Sequence, residues 1–312
     1  MLKRKNLISG VLSVVLMLIL SVSASATSFS TNSDADKLQY HTYSEEFPDA
    51  YIITETSPIA VKSNSTDIVY LDIVSVTVFI EESYDYNSTG EFIITDSRLL
   101  SRDEVMVIGI ENFNDIETER AAQASKPSSR AATSSRGKLT ITFSGSYYLS
   151  GSGVVANVSG NASWSGAGSG LSGSTDPAKG ADFFGLAWSG GYTASGSSCT
   201  ATLQTGGTQT VYLSEAVPNA GRVYEFDERV VVSGGSVIWY VSNADLSSTL
   251  SKNTLEGNGN TSEVMLKYIH TWQSVTGSIS ISASSSGVGA GFSLSSTPDQ
   301  WSIVCVLTGI PY

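Results

Sequence analysis

The chain has 312 residues, with 29 acidic against 17 basic side chains and a net charge of −12 at neutral pH. So acidic a balance excludes the basic face that nucleic acid requires and suits capture by anionic lipid poorly. The length allows one large domain or two modest ones with sizeable cores.

At the start, Lys3, Arg4 and Lys5 precede an apolar run from Leu7 to Val22, and Ala24-Ser25-Ala26 has the spacing of a signal-peptidase site. Residues 1–26 are therefore expected to be a signal peptide, and the product is expected to be secreted and extracellular, as from a bacterium. Residues 27–118 read as a small acidic α+β domain and a candidate pro-segment. In it, Asp67 to Ile80 is rich in β-branched residues and reads as a strand, residues 86–90 supply turn chemistry, and Glu91 to Thr95 returns as a second strand. Ser101-Arg102-Asp103-Glu104 has the spacing of a capping box, and Val105, Ile108 and Phe113 fall near one face of the short helix it would start. The many carboxylates form no D-x-[DN]-x-[DN]-G loop, so a solvated acidic face is expected rather than a calcium site.

Between Glu119 and Lys138 no large apolar residue occurs. Such a stretch cannot bury enough surface to offset its conformational entropy, so 119–137 is expected to be a flexible linker. Beyond it, residues 138–312 read as an all-β domain rich in Ser, Gly and aromatic residues. Leu139, Ile141, Phe143, Gly145, Tyr147 and Leu149 alternate with Thr140, Thr142, Ser144, Ser146, Tyr148 and Ser150, placing the hydroxyl set toward solvent. Further strands are expected over 200–204, 209–213, 222–226, 229–232, 236–241, 264–271, 278–283, 289–295 and 301–307, while 157–180 reads as loop or weak strand. The fold class is mainly β: the small α+β domain, then an antiparallel β-sandwich-like or partly closed barrel domain.

Chemistry-bearing patterns are sparse. His41 and His270 are the only histidines, neither at a metal-ligand spacing, so no metal, cofactor or catalytic residue is assigned. A hydrolase would need His270 with an acid such as Asp245 or Asp299, or the carboxylates Glu225, Asp227 and Glu228. Cys199 and Cys305 are an even pair in an exported chain, and a disulfide between them is expected. Trp239, Trp272 and Trp301 sit beside strand-forming residues and read as core. Trp164, Trp188 and Tyr192 are the candidate exposed aromatics, able to stack on sugar rings beside Ser and Asn. The hairpin over 277–296 has one apolar and one hydroxyl face, which a membrane-inserting hairpin and an ordinary sandwich hairpin both need. The expected function is a non-enzymatic binding or structural module for an extracellular glycan or cell-surface polymer, not for nucleic acid. A membrane-active precursor and a secreted hydrolase are the alternatives, and nothing in the sequence sets an oligomeric state.

Overall fold

The computed structural model describes residues 40–58, 68–86, 92–113, 133–166, 180–232, 237–256, 259–272, 277–283, 289–295 and 299–312. The expected signal peptide and residues 119–132 of the expected linker lie outside them. In chain order, β1 (Tyr40–Tyr43), β2 (Ile52–Ser57), β3 (Ile68–Tyr70), β4 (Ile73–Tyr86) and β5 (Phe92–Leu99) precede a helix, α1 (Arg102–Ile108), and a 3₁₀ turn (Ile110–Phe113). Then follow β6 (Thr133–Ser150), β7 (Gly153–Gly166), β8 (Ala181–Trp188), β9 (Thr193–Leu203), β10 (Thr208–Gln209), β11 (Tyr212–Val217), β12 (Gly221–Asp227) and β13 (Arg229–Val232). The last five are β14 (Val237–Lys252), β15 (Thr261–Thr271), β16 (Ile279–Ser282), β17 (Gly291–Leu294) and β18 (Gln300–Pro311).

Every pairing among the described strands is antiparallel. A ten-stranded sheet has the order β10-β9-β14-β7-β6-β4-β2, with β13 on β14, β3 on β6 and β5 on β4. A six-stranded sheet has the order β1-β18-β15-β8-β12-β11, and β16 and β17 form a separate hairpin. The two large sheets pack as a sandwich over one apolar core that takes side chains from both, and neither closes into a barrel.

The expected boundary between a 27–118 domain and a 138–312 domain is not a division in this fold. β4 pairs with β6 from Val74↔Phe143 to Tyr84↔Thr133, and β1 pairs with β18 from Tyr40↔Leu307 to Tyr43↔Val304. Residues 34–312 form one compact unit. The reason lies in burial: Val74, Val76, Val78 and Ile80 present a stripe that a lone hairpin would leave open, and it joins Leu139, Ile141 and Phe143 in the shared core. Residues 133–137 of the expected linker are accordingly the first part of β6.

Alternation sets the inward face as expected in β6, where Leu139, Ile141 and Phe143 are buried. The residues from 157 to 166, read as loop, are instead part of β7, which pairs along its length with β6 and β14. Small side chains hid it. At Gly160 a Cβ would stand 2.5 Å from Leu266 Cδ1 and 3.1 Å from Phe184 Cζ, so the glycine is what admits the facing sheet. The strand β8 was not foreseen at all. All eight of its residues are buried, one side against the core and the other under the β16–β17 hairpin, so its sequence ADFFGLAW lacks the alternation of a half-exposed strand.

That hairpin lays Ile279, Ile281, Phe292 and Leu294 on Phe183, Ala187, Val223, Met265, Ile269 and Val304 of the six-stranded sheet. Lys267, buried on the same side, donates to the Phe292 carbonyl at 3.0 Å and pairs with Glu45 at 2.6 Å. α1 begins in the expected capping box, with Ser101 and Glu104 serving each other's backbone amides. With the 3₁₀ turn it covers Phe79 on the outer side of β4, burying Val105 and Phe113.

Candidate functional site

The β6, β7, β14 and β9 strands carry on their outer side a lattice of small polar side chains, generated by register. One row runs Ser144, Ser159, Ser247, Ser198 across the four strands. Its neighbours run Ser146, Asn157, Thr249, Gly196 and Thr142, Asn161, Asp245, Thr200, and a fourth runs Thr140, Ser163, Asn243, Thr202. Directly opposed side chains in a sheet point the same way and meet, and here they bond: Ser144 to Ser159 at 2.9 Å, Ser198 to Ser247 at 3.0 Å, Thr249 to Asn157 at 2.9 Å and Asn161 to Asp245 at 2.7 Å. Asp245 is the one charged residue in these rows.

Over this lattice lies an open trough of about 590 Å³, lined by Ser144, Ser146, Asn157, Ser159, Ser198, Ser247 and Thr249 and bounded by Tyr70. A smaller depression of about 250 Å³ continues it toward Thr142, Asn161, Thr200 and Asp245. Tyr70 stands opposite Ser146 and is 43% exposed. Tyr148, two residues further along the same side of β6, is 37% exposed. Hydroxyls and amides both donate and accept hydrogen bonds, and an aromatic face beside them offers a stacking surface. The lattice contains neither an imidazole nor a pair of carboxylates, the groups that general acid–base chemistry uses.

The aromatics singled out from sequence are elsewhere. Trp164, Trp188 and Tyr192 are 6%, 0% and 1% exposed, so they form core instead of a binding platform. Trp188 donates from Nε1 to the Tyr192 carbonyl at 2.9 Å and Trp164 to the Tyr268 hydroxyl at 2.9 Å, satisfying the indole N–H groups that burial would otherwise strand. Trp272 and Trp301 are core as expected. The side chain of Trp239 lies outside the described ones. Tyr148 belongs to the hydroxyl set that alternation had turned toward solvent, and that signal identifies the exposed aromatic correctly.

Cys199 and Cys305 are free thiols, not a disulfide. Cys199 stands on β9 opposite Leu246, and Cys305 on β18 between Leu266 and Thr42. They occupy different sheets, and burial pushes both thiols up to about 12.

A second polar group lies inside the sandwich. His270 on β15 is fully buried, with Nδ1 3.0 Å from Asp182 Oδ1 and Nε2 3.6 Å from Glu82 Oε1. Asp182 also accepts from the Tyr268 hydroxyl and, at 3.3 Å, from the Thr271 amide. Glu228, next after β12, turns inward beside them. Burial by itself would lower the imidazole pKa, but the Asp182 charge and hydrogen bond, with Glu82 and Glu228, hold it well above its ordinary value. Burial, and next the Asp182 charge, push the Tyr268 hydroxyl up. The ring's partners are thus Asp182 and Glu82 and not Asp245, which is exposed on the outer face, or Asp299. The run from Glu225 to Glu228 is divided: Glu225 accepts from the Ser214 hydroxyl at 3.1 Å and Asp227 is exposed, while Glu228 faces the core.

The fold and the site together define a mainly β, two-sheet sandwich with one uncovered hydroxyl face and one enclosed ionisable cluster. No protein-family model, curated protein or solved structure matches the chain.

Proposed function

We propose that this protein is a secreted, non-enzymatic binding module whose hydroxyl lattice recognises a neutral extracellular carbohydrate polymer. The observation that carries the reading is the trough of about 590 Å³ floored by Ser, Thr and Asn and edged by Tyr70. Sugar hydroxyls need donors and acceptors in alternation, and sugar ring faces need a flat apolar neighbour. The lattice supplies the first and Tyr70 with Tyr148 the second. Four strands in register repeat those groups at about 4.8 Å intervals across the sheet, a spacing suited to an extended chain and not to a single compact ligand. The basic n-region at Lys3 to Lys5 and the Ala24-Ser25-Ala26 spacing support delivery outside the cell.

The test is retention of the full chain on a panel of neutral polysaccharides, followed by titration on any that hold it. Tyr70→Ala and Ser159→Tyr, which fills the trough, are each expected to weaken binding by roughly tenfold or more with unaltered denaturation midpoints. Absence of retention on every polymer, or full affinity in both variants, would end this reading.

One further observation favours a second reading. The β16–β17 hairpin is an excursion between β15 and β18, which are themselves paired neighbours, so its release would prolong an existing antiparallel pair. On that basis the protein is membrane-active. Liposomes that keep an entrapped dye in its presence, before and after limited proteolysis, would count against it.

A further inference from the structure

The hydroxyl rows are indifferent to the polarity of a ligand, because a Ser or Thr hydroxyl rotates to donate or to accept. One point in them is not. Asp245 on β14 stands between Asn161 on β7 and Thr200 on β9, in the depression of about 250 Å³ that continues the trough. Asn161 donates from Nδ2 to Asp245 Oδ1 at 2.7 Å and to Asn243 Oδ1 at 3.1 Å. An ionised carboxylate only accepts, so the Asn161 amide can be turned in one sense alone, and its nitrogen is committed to holding these two oxygens in place. We infer that Asp245 is the specificity-determining residue of the trough, and that it selects a neutral polysaccharide whose rings keep two adjacent hydroxyls free. The inference rests on the carbohydrate-binding reading above.

Three observations converge on it. The first is spare capacity. Asp245 is exposed, and among the described residues Asn161 is its one hydrogen-bond partner. Oδ1 therefore keeps one lone pair and Oδ2 keeps both, and two acceptors on one carbon suit a pair of adjacent O–H donors as they suit the paired N–H groups of arginine. The second is strength. Hydrogen bonds to an ionised group are about twice as strong as neutral ones, and Asp245 is the one charged residue in the rows, so its contacts outweigh those of any single hydroxyl. The third is reach. Tyr70 stands opposite Ser146 of β6, four residues along that strand from Thr142, the β6 member of the row that holds Asp245. Three strand spacings from β3 to β14 and four residues along the strand put the tyrosine and the carboxylate roughly 20 Å apart.

Only an extended chain of several rings touches both. Tyr70 then stacks on any ring face, while Asp245 reads the hydroxyl pattern further along the same chain. Pyranose rings joined through the fourth carbon leave the second and third hydroxyls adjacent and free. Rings joined through the third carbon leave no adjacent pair.

The experiment is to titrate the full chain with cellohexaose, joined through the fourth carbon, and with laminarihexaose, joined through the third. The expected result is that cellohexaose binds about tenfold tighter or more. Asp245→Asn, which keeps the size of the side chain and an acceptor for Asn161, is expected to weaken cellohexaose by about tenfold and to leave laminarihexaose unmoved, whereas Tyr70→Ala weakens both sugars alike. A merely structural part for Asp245 would not alter the ratio between the two sugars. Equal affinity of the parent for both, or a cellohexaose preference that survives Asp245→Asn, overturns the inference; a loss in Tyr70→Ala in those cases leaves the carbohydrate-binding reading standing without it. A parent that binds neither sugar overturns the inference too, and retention on the polysaccharide panel then decides the broader reading separately.

Discussion

The two outward faces of the sandwich obey one alternation rule and end in opposite conditions. On the six-stranded sheet the outward positions include Phe183, Ala187, Val223, Met265, Ile269 and Val304, and a hairpin roofs them. On the ten-stranded sheet the four outward rows across β6, β7, β14 and β9 are Ser, Thr, Asn and Asp245, with one glycine, and they stand open. Where that second sheet does present a large apolar side chain outward, at Phe79, α1 and the 3₁₀ turn cover it. A cover is therefore recruited by apolar area and not by the sheet as such. The open lattice needs none because its side chains bond one another across the strands and keep their remaining hydrogen-bonding capacity for solvent or ligand.

Substitutions can press on this contrast. The largest effect is expected at the roof: Phe292→Ala empties a buried aromatic site and should lower unfolding free energy by about 3–5 kcal/mol, read from a denaturant titration. An intermediate effect is expected at the helix that covers Phe79, where Ser101→Ala removes the cap and should cost about 1 kcal/mol. The same cap gives a pH signature. The Ser101 amide, together with Arg98 and the Ser101 hydroxyl, lowers the Glu104 carboxyl from 4.5 to about 2. A depressed carboxyl stabilises above its unfolded pKa and loses that contribution as pH falls through its folded pKa. The Ser101→Ala difference should therefore be full above pH 4.5 and shrink toward pH 2, and a difference that grows on acidification would refute the assignment. The smallest effect is expected on the open lattice, where Ser144→Ala should change stability by no more than about 0.5 kcal/mol. A loss as large as that at Phe292 would show that the hydroxyl rows hold the sheet together after all.

Much of this was legible where a local pattern decides the outcome. The capping box at Ser101 and Glu104, the alternation through Leu139, Ile141 and Phe143, and the two arms of the β16–β17 hairpin depend on residues close in sequence. Features set by distant partners were harder to see. β8 is apolar on both sides because one element packs above it and another below, and β7 is rich in glycine and serine because Leu266 and Phe184 come so near at Gly160. Trp164 and Trp188 looked exposed by the company of small residues, which in this fold marks close sheet packing. The ionisable cluster joins residues remote in sequence, Asp182 and His270 alone being 88 positions apart, so no spacing motif could reveal it. Yet a period-two signal was present. Glu82 follows the parity of Val74 to Ile80, Asp182 that of Phe184 and Leu186, Glu228 that of Tyr224 and Phe226, and His270 that of Leu266 and Tyr268. Extending each inward stripe by one step would have aimed all four into the core.

The pairing of β1 with β18 has a consequence for how the chain acquires its structure. Strands that begin at Tyr40 and end at Pro311 share a ladder, and β18 also flanks β15 along eleven registered positions. A nascent chain lacking β18 would have β15 as a raw edge and β1 with no sheet to join. Completion of the six-stranded sheet therefore awaits β18, and the dominance of remote contacts in the fold places it among the slow, millisecond-to-second class of β proteins.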